Sequence, residues 1–218
     1  MPDHEFSASE LRASDCYRLL TDIVTPRPIA WVSTQSASGA RNLAPYSYFQ
    51  AVASSPPTVV LGCGWLRDGT MKDTLRNILE TGEFTIAHVS SPVAVDMNES
   101  SAMEPPGHSE WDRVDVTPAP ARRVKPPRVA QSRAHLECRL VHAIPVGTGP
   151  TGSPASTLVV GEVVHFHLRE GLAQRREDGR LAPAHPGDLD SVGRLGGNGY
   201  VRTTDRFELA RPASTKKT

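Results

Sequence analysis

Residues 25–49 read Thr-Pro-Arg-Pro-Ile-Ala-Trp-Val-Ser-Thr-Gln-Ser-Ala-Ser-Gly-Ala-Arg-Asn-Leu-Ala-Pro-Tyr-Ser-Tyr-Phe, from Thr25 to Phe49. Ile29 to Thr34 carry the β-branched and aromatic content of a strand, and the polar run about Gly39 supplies a turn. An extended return then passes through Tyr46 to Phe49. The stretch is a β-hairpin with a long, hydroxyl-rich connection. Ser33, Thr34, Arg41, Asn42 and Ser47 place hydroxyl, amide and guanidinium donors in a short run, a set suited to a bound anion or a polar-edged ring.

Upstream, Ser7-Ala-Ser-Glu10 has the form of a capping box and predicts a helix from Glu10 to Leu20, with Leu11, Tyr17 and Leu20 as packing residues. Pro26 and Pro28 end it. Downstream, Ser54–Pro57 is a turn and Thr58–Cys63 a β-branched run of buried-strand length. Asp73 is placed to cap a helix of about two turns, with Leu75, Ile78 and Leu79 as its apolar stripe and Gly82 as its left-handed terminator. Lys72 just before that helix and Thr74 inside it, with the unpaired N–H groups of the first turn, make a candidate phosphate seat.

Glu83–Val89 alternates as a strand, and Ser91-Pro92 opens a further helix with serine as cap and proline at its first position. Prolines 105, 106, 118, 120, 126 and 127 exclude a long helix or central strand there. Residues 104–128 are therefore an excursion that wraps the body of the fold or covers a ligand, with Trp111 as its packing anchor.

Ala130–Val146 and Thr157–Arg169 are the longest strand candidates, paired antiparallel across the glycine-rich 147–156 segment. Alternation puts Glu162, Val164 and Phe166 on one face and Val163, His165 and His167 on the other. His-x-His on one face is a metal half-site. The spacing supplies no third ligand from His135, Cys138 or His142, so no metal is assigned. Residues 171–187 are polar and turn-rich, and Arg194–Tyr200, with glycines at 196, 197 and 199, closes a single domain of residues 1–211. Residues 212–218 have the composition of a disordered tail.

Composition excludes several classes. With 24 Lys plus Arg against 24 Asp plus Glu, there is no basic field to attract nucleic acid or an anionic membrane. The run Arg122-Arg123-Val-Lys125 reads as a solvated linker. No apolar run approaches the roughly 20 residues of a membrane span, and Met-Pro-Asp-His-Glu is not a signal peptide, so the expected compartment is the cytoplasm. Cys16, Cys63 and Cys138 are an odd set without CxxC spacing, expected to be reduced. Neither GxGxxG in a βαβ unit nor a phosphate loop of the GxxxxGK[ST] type occurs.

Many short strands, few helices and no βαβ alternation point to a mainly β, antiparallel barrel with peripheral helices. The run from Pro26 to Phe49 also resembles the flavin reductase-like family of FMN-binding split barrels. Further matches follow in order: Ser-Pro-Pro57, Lys-Asp-Thr74, Asn77-Ile78, Thr81 to Phe84, Val160 to Val163 and Arg194 to Gly197.

The resemblance implies a split β-barrel, commonly a homodimer with flavin near the subunit interface. FMN, with FAD possible, would meet Pro26, Arg27, Pro28 and the backbone up to Trp31 at its ring. Ser33, Thr34, Asn42, Ala44 and Ser47 would meet ring, ribityl or phosphate oxygens, and Lys72 and Thr74 the phosphate. Arg194 to Tyr200 would lie at the flavin edge or the nicotinamide side. The implied activity is NAD(P)H-dependent flavin reduction, supplying a partner monooxygenase. The alternatives are an oxidoreductase that keeps FMN bound and acts on another small molecule, or a flavin-binding electron carrier. The flavin carries the chemistry in each, so no catalytic side chain is assigned.

Overall fold

The computed structural model describes residues 3–105, 108–182 and 184–212. Pro106 and all but the first residue of the expected tail lie outside them. The hairpin is present as β2 (Ala30–Gln35) and β3 (Arg41–Tyr46), in register from Ala30 opposite Tyr46 to Gln35 opposite Arg41. Gly39 has φ +94°, a conformation costly for any residue with a Cβ, and lets the chain reverse. Before the hairpin come α1 (Ala13–Ile23) and the short β1 (Arg27–Pro28). After it come β4 (Phe49–Ser54), β5 (Pro57–Gly64), α2 (Asp73–Thr81), β6 (Glu83–His88) and α3 (Ala94–Glu99). The chain continues through β7 (Pro118–Ala119), β8 (Arg128–Val129), β9 (Ala134–Val146), β10 (Ser156–Leu168), α4 (Pro186–Leu189), β11 (Val192–Arg194) and β12 (Tyr200–Arg202).

The main sheet is antiparallel, in the order β3-β2-β6-β9-β10-β5-β4. Among the described residues no ladder joins β3 to β4, so the sheet is open and hydrogen bonds do not close the expected barrel. Both faces of β2 are covered. Ala30 and Val32 face a core with Leu61, Leu75, Ile78, Phe84 and Val159, while Trp31 and Leu43 face a second core with Val89, Met97 and Trp111. Each fully buried side chain of this size contributes about 1.5–3 kcal/mol, so the hairpin is anchored from two sides.

Helix starts differ from expectation. Glu10 N–H donates to the Ser7 carbonyl at 3.0 Å and Ser7 Oγ pairs with Ser9 Oγ at 2.8 Å, so the capping box is not made and α1 starts three residues later. Tyr17 and Leu20, expected to pack, are 60% and 55% exposed. In α2 the cap position belongs to Lys72, and Asp73, the first helical residue, pairs with Arg76. Gly82 ends α2 at φ +71° as expected. Ser91 and Pro92 begin a 3-10 turn before α3, and the Ser91 hydroxyl donates to Asp190 Oδ1 at 2.9 Å rather than capping.

The excursion lies along β3. Ser109 Oγ donates to the Arg41 carbonyl at 2.7 Å, and Leu43 N–H donates to Glu110 Oε2 at 3.0 Å. It thereby satisfies an otherwise open sheet edge. Trp111 is buried in the second core, as an anchor should be.

The β9–β10 pair carries two bulges. Val160 faces His142 but Gly161 faces Leu140, and Val163 faces Cys138 but His165 faces Glu137. The second bulge inserts Val164, so Val163 does not share a face with His165 and His167 as strict alternation requires. Val163 enters the core beside Cys138, and the histidines move to the face of Glu137 and His135.

Candidate functional site

Apart from Trp31 and Ser33, the cofactor candidates singled out from the sequence gather in two neighbourhoods. In the first, β1 pairs with β11, setting Arg27 opposite Arg194 and Pro28 opposite Gly193. The fit is close: a Cβ on Gly193 would lie 2.9 Å from Pro26 Cβ. Arg27 is 5% exposed and spends its guanidinium on protein carbonyls, those of Thr21 (2.6 Å), Val24 (2.8 Å) and Leu195 (2.9 Å), with Ser47 Oγ at 3.4 Å. It ties the end of α1 and β11 to the hairpin. Arg194 stacks over Tyr200 at 4.5 Å and donates to the Gly197 carbonyl at 2.6 Å.

Beside this corner opens a cavity of about 500 Å³. Pro26, Arg27, Pro28, Ile86, Leu136, Phe166 and Val192 line it, together with His88, His135 and His167. Its size and apolar walls are those of a small-molecule site. Burial holds the His88 and His135 imidazoles below their usual pKa, His135 at about 4 even though its ring nitrogen bonds the Val129 carbonyl. Both are neutral at physiological pH.

The second neighbourhood is where β2 and β3 meet α2. Asn77 Nδ2 donates to Thr34 Oγ1 at 3.0 Å. The Asn42 amide oxygen accepts from the Thr74 hydroxyl at 2.8 Å, and its N–H reaches Glu110 Oε1 at 3.3 Å. Lys72 at the helix N-terminus holds Nζ 5.9 Å from the Tyr46 ring centre. The Tyr46 hydroxyl is buried beside Thr74 without a hydrogen-bond partner, and burial raises its pKa. Thr34, Asn42 and Thr74 are all buried, and Ala44 packs against the same core.

Trp31 and Ser33 point to the opposite face of β2. Trp31 is fully buried, its Nε1–H donating to Ser100 Oγ at 2.8 Å, and the Ser33 hydroxyl is buried without a partner.

The profile of the flavin reductase-like domain matches residues 24–182. An uncharacterised protein of Deinococcus radiodurans is 40% identical over 216 residues, covering 97% of this chain and 91% of that protein. This chain belongs to the flavin reductase-like family. Of solved structures, nitrilotriacetate monooxygenase component B from Bacillus cereus is similar at 35% identity with a TM-score of 0.87, covering 96% of this chain and 100% of that one. The 2-nitrobenzoate 2-nitroreductase of Pseudomonas fluorescens is similar at 32% identity with a TM-score of 0.80, covering 96% of each chain.

In this flavin reductase-like chain the donor set suits a flavin. One neighbourhood offers a rigid edge and largely apolar walls for a ring. The other offers an ammonium, a helix N-terminus and an unpaired buried hydroxyl for an anion. Sequence reasoning missed His88 and Glu137, and set His135 aside for want of spacing that joins it to the His165 pair. The pattern His135-x-Glu137 opposite His165-x-His167 was available, but two bulges set the register that joins them. Glu137 is fully buried. Burial pushes its pKa up, but hydrogen bonds from His167 and from the Arg122 and Arg123 N–H groups outweigh that and hold the carboxyl below its usual value.

Proposed function

We propose that this protein is an NAD(P)H-dependent flavin reductase that binds FMN, with FAD the alternative flavin, and supplies reduced flavin to a partner monooxygenase. The observation that carries the reading is the apolar cavity of about 500 Å³ beside Pro26–Pro28, in a chain of this family. When bound, the flavin supplies the redox chemistry by accepting hydride from the nicotinamide at N5.

The chain's own residues bind, orient and exclude water. Pro26, Arg27 and Pro28, braced by the Arg27 contacts, form the edge against which the ring lies, with the backbone up to Trp31. Arg194 and the loop to Tyr200 border the nicotinamide side. Lys72, Thr74 and the first turn of α2 receive the phosphate, with Thr34, Asn42, Ala44 and Ser47 along the path between; Ser33, on the opposite face of β2, takes no part in it. The apolar walls keep water from the reacting atoms. The protein acts as a homodimer in the split-barrel arrangement of the family, in the cytoplasm. Support for the dimer is the exposure of Tyr17, Leu20, Ile23 and Val24 on and just beyond α1.

The test is direct. Purified protein mixed with excess FMN and either NADH or NADPH bleaches the flavin band at about 450 nm; no bleaching with either donor rejects the reading. A second reading, an enzyme that retains FMN and reduces another small molecule, is favoured by the similarity to a nitroreductase and by the excursion packed along β3. Retention of FMN through gel filtration separates the two, since a diffusible flavin is lost.

A further inference from the structure

The bulge at Val164 turns His165 and His167 onto the face of Glu137. Without the extra residue His165 would lie with Val163 on the core side. Bulges that re-aim side chains in this way cluster next to functional sites. One ring nitrogen from each histidine and a carboxylate oxygen of Glu137 lie within 4.8 Å of one another.

The three groups differ in what else they do. Glu137 is fully buried, and its carboxylate is oriented by the N–H groups of Arg122 at 2.7 Å and Arg123 at 2.6 Å. Backbone donors of this kind are the outer partners that hold a ligating carboxylate in place. His167 Nε2 meets Glu137 Oε1 in a close contact, and the His165 ring stands edge-on to the His167 ring at 4.7 Å. Among the described residues the His165 side chain makes no hydrogen bond. A purely structural Glu137–His167 pair gives no account of why His165 is turned toward it.

We infer that Glu137, His165 and His167 bind one divalent transition-metal ion, with zinc the best match. Two imidazoles and one carboxylate are the donor set of open zinc sites, whereas calcium and magnesium favour oxygen donors throughout. Around a tetrahedral ion with bonds of about 2.0–2.2 Å the donors sit about 3.4 Å apart, a separation that requires the close His167–Glu137 pair to open around the ion and the His165 ring to turn inward. The ion replaces the proton shared by His167 and Glu137. It ties the excursion, through Arg122 and Arg123, to the β9–β10 pair, and through His167 it places positive charge at the cavity wall. The site does not depend on the flavin reading.

The test uses the full-length protein, free of any histidine tag and stripped with a chelator. It is titrated with Zn²⁺ against a chromophoric competitor and with Co²⁺ by visible absorbance. One ion binds per chain, and Zn²⁺ raises the thermal midpoint. His165→Ala weakens Zn²⁺ at least about tenfold and removes the thermal shift, since loss even of an outer partner costs 10–100-fold. Glu137→Gln has the same effect, and His142→Ala leaves binding unchanged. Failure of the native protein to bind Zn²⁺ stoichiometrically overturns the site. So does a folded His165→Ala protein, its circular dichroism unchanged, that binds Zn²⁺ as tightly as the native chain.

Discussion

The proposed anion seat rests most on Lys72, which adds a full charge to the partial charge of a helix N-terminus. Lys72→Ala should weaken FMN binding by about 1–3 kcal/mol, the usual cost of losing a charged donor to an anion, and titration at low salt measures it; unchanged affinity removes the assignment. Glu110 gives a pH prediction. Burial lifts its carboxyl above the usual range, against the pull of the Leu43 N–H, with Asp73 and Glu104 adding to the lift. A carboxyl whose folded pKa exceeds its unfolded value adds stability below the unfolded pKa and loses it as pH rises through the folded one. Glu110→Gln therefore raises the thermal midpoint at about pH 7, and the difference from the native protein closes toward about pH 4. Thiol reactivity follows from burial in the same way. Burial pushes Cys63 up to about 12 and Cys138 up as well, so in the folded protein a disulfide reagent labels Cys16 alone, and in denaturant all three.

At the scale of elements, β9 and β10 show how little freedom the sheet leaves. Gly161, at the first bulge, faces Phe84, which is fully buried; a Cβ there would lie 2.5 Å from Phe84 Cζ. Gly161→Ala should cost about 1–3 kcal/mol of stability through overpacking, measured by urea unfolding; a neutral substitution would mean that Phe84 can move aside. The glycine in Val-Gly-Glu-Val was visible in the sequence, but what it faces was not. Helix α2 was legible in Leu75, Ile78 and Gly82, which carry its stripe and its stop, whereas Leu79, expected in that stripe, is 43% exposed. Helix α1 was not legible. Its capping signature at Ser7 lost to a local turn, and Tyr17 and Leu20, spaced like core residues, face outward, Thr21 being the buried residue of α1.

For the whole molecule, those outward residues make a prediction about assembly. Tyr17, Leu20, Ile23 and Val24 are exposed, as are Tyr48 and Val52 on and before β4. The proposed homodimer would cover these side chains. Light scattering should return twice the chain mass of 23.6 kDa, and Ile23→Asp should shift it to the monomer; a native monomer at micromolar concentration would contradict the dimer. The hairpin, the antiparallel character of the sheet, helix α2 and the grouping of donors after Gly39 were determined by the sequence alone, because each rests on local periodicity, turn chemistry or composition within a few residues. The tertiary structure alone decided which polar groups are engaged inside the protein, as with Arg27 donating to three carbonyls and Thr34 accepting from Asn77. It alone also brought Glu137 opposite His165, separated in sequence by a hairpin with two bulges. Those outcomes depend on register and burial between distant segments, and one inserted residue reverses the face of every side chain beyond it.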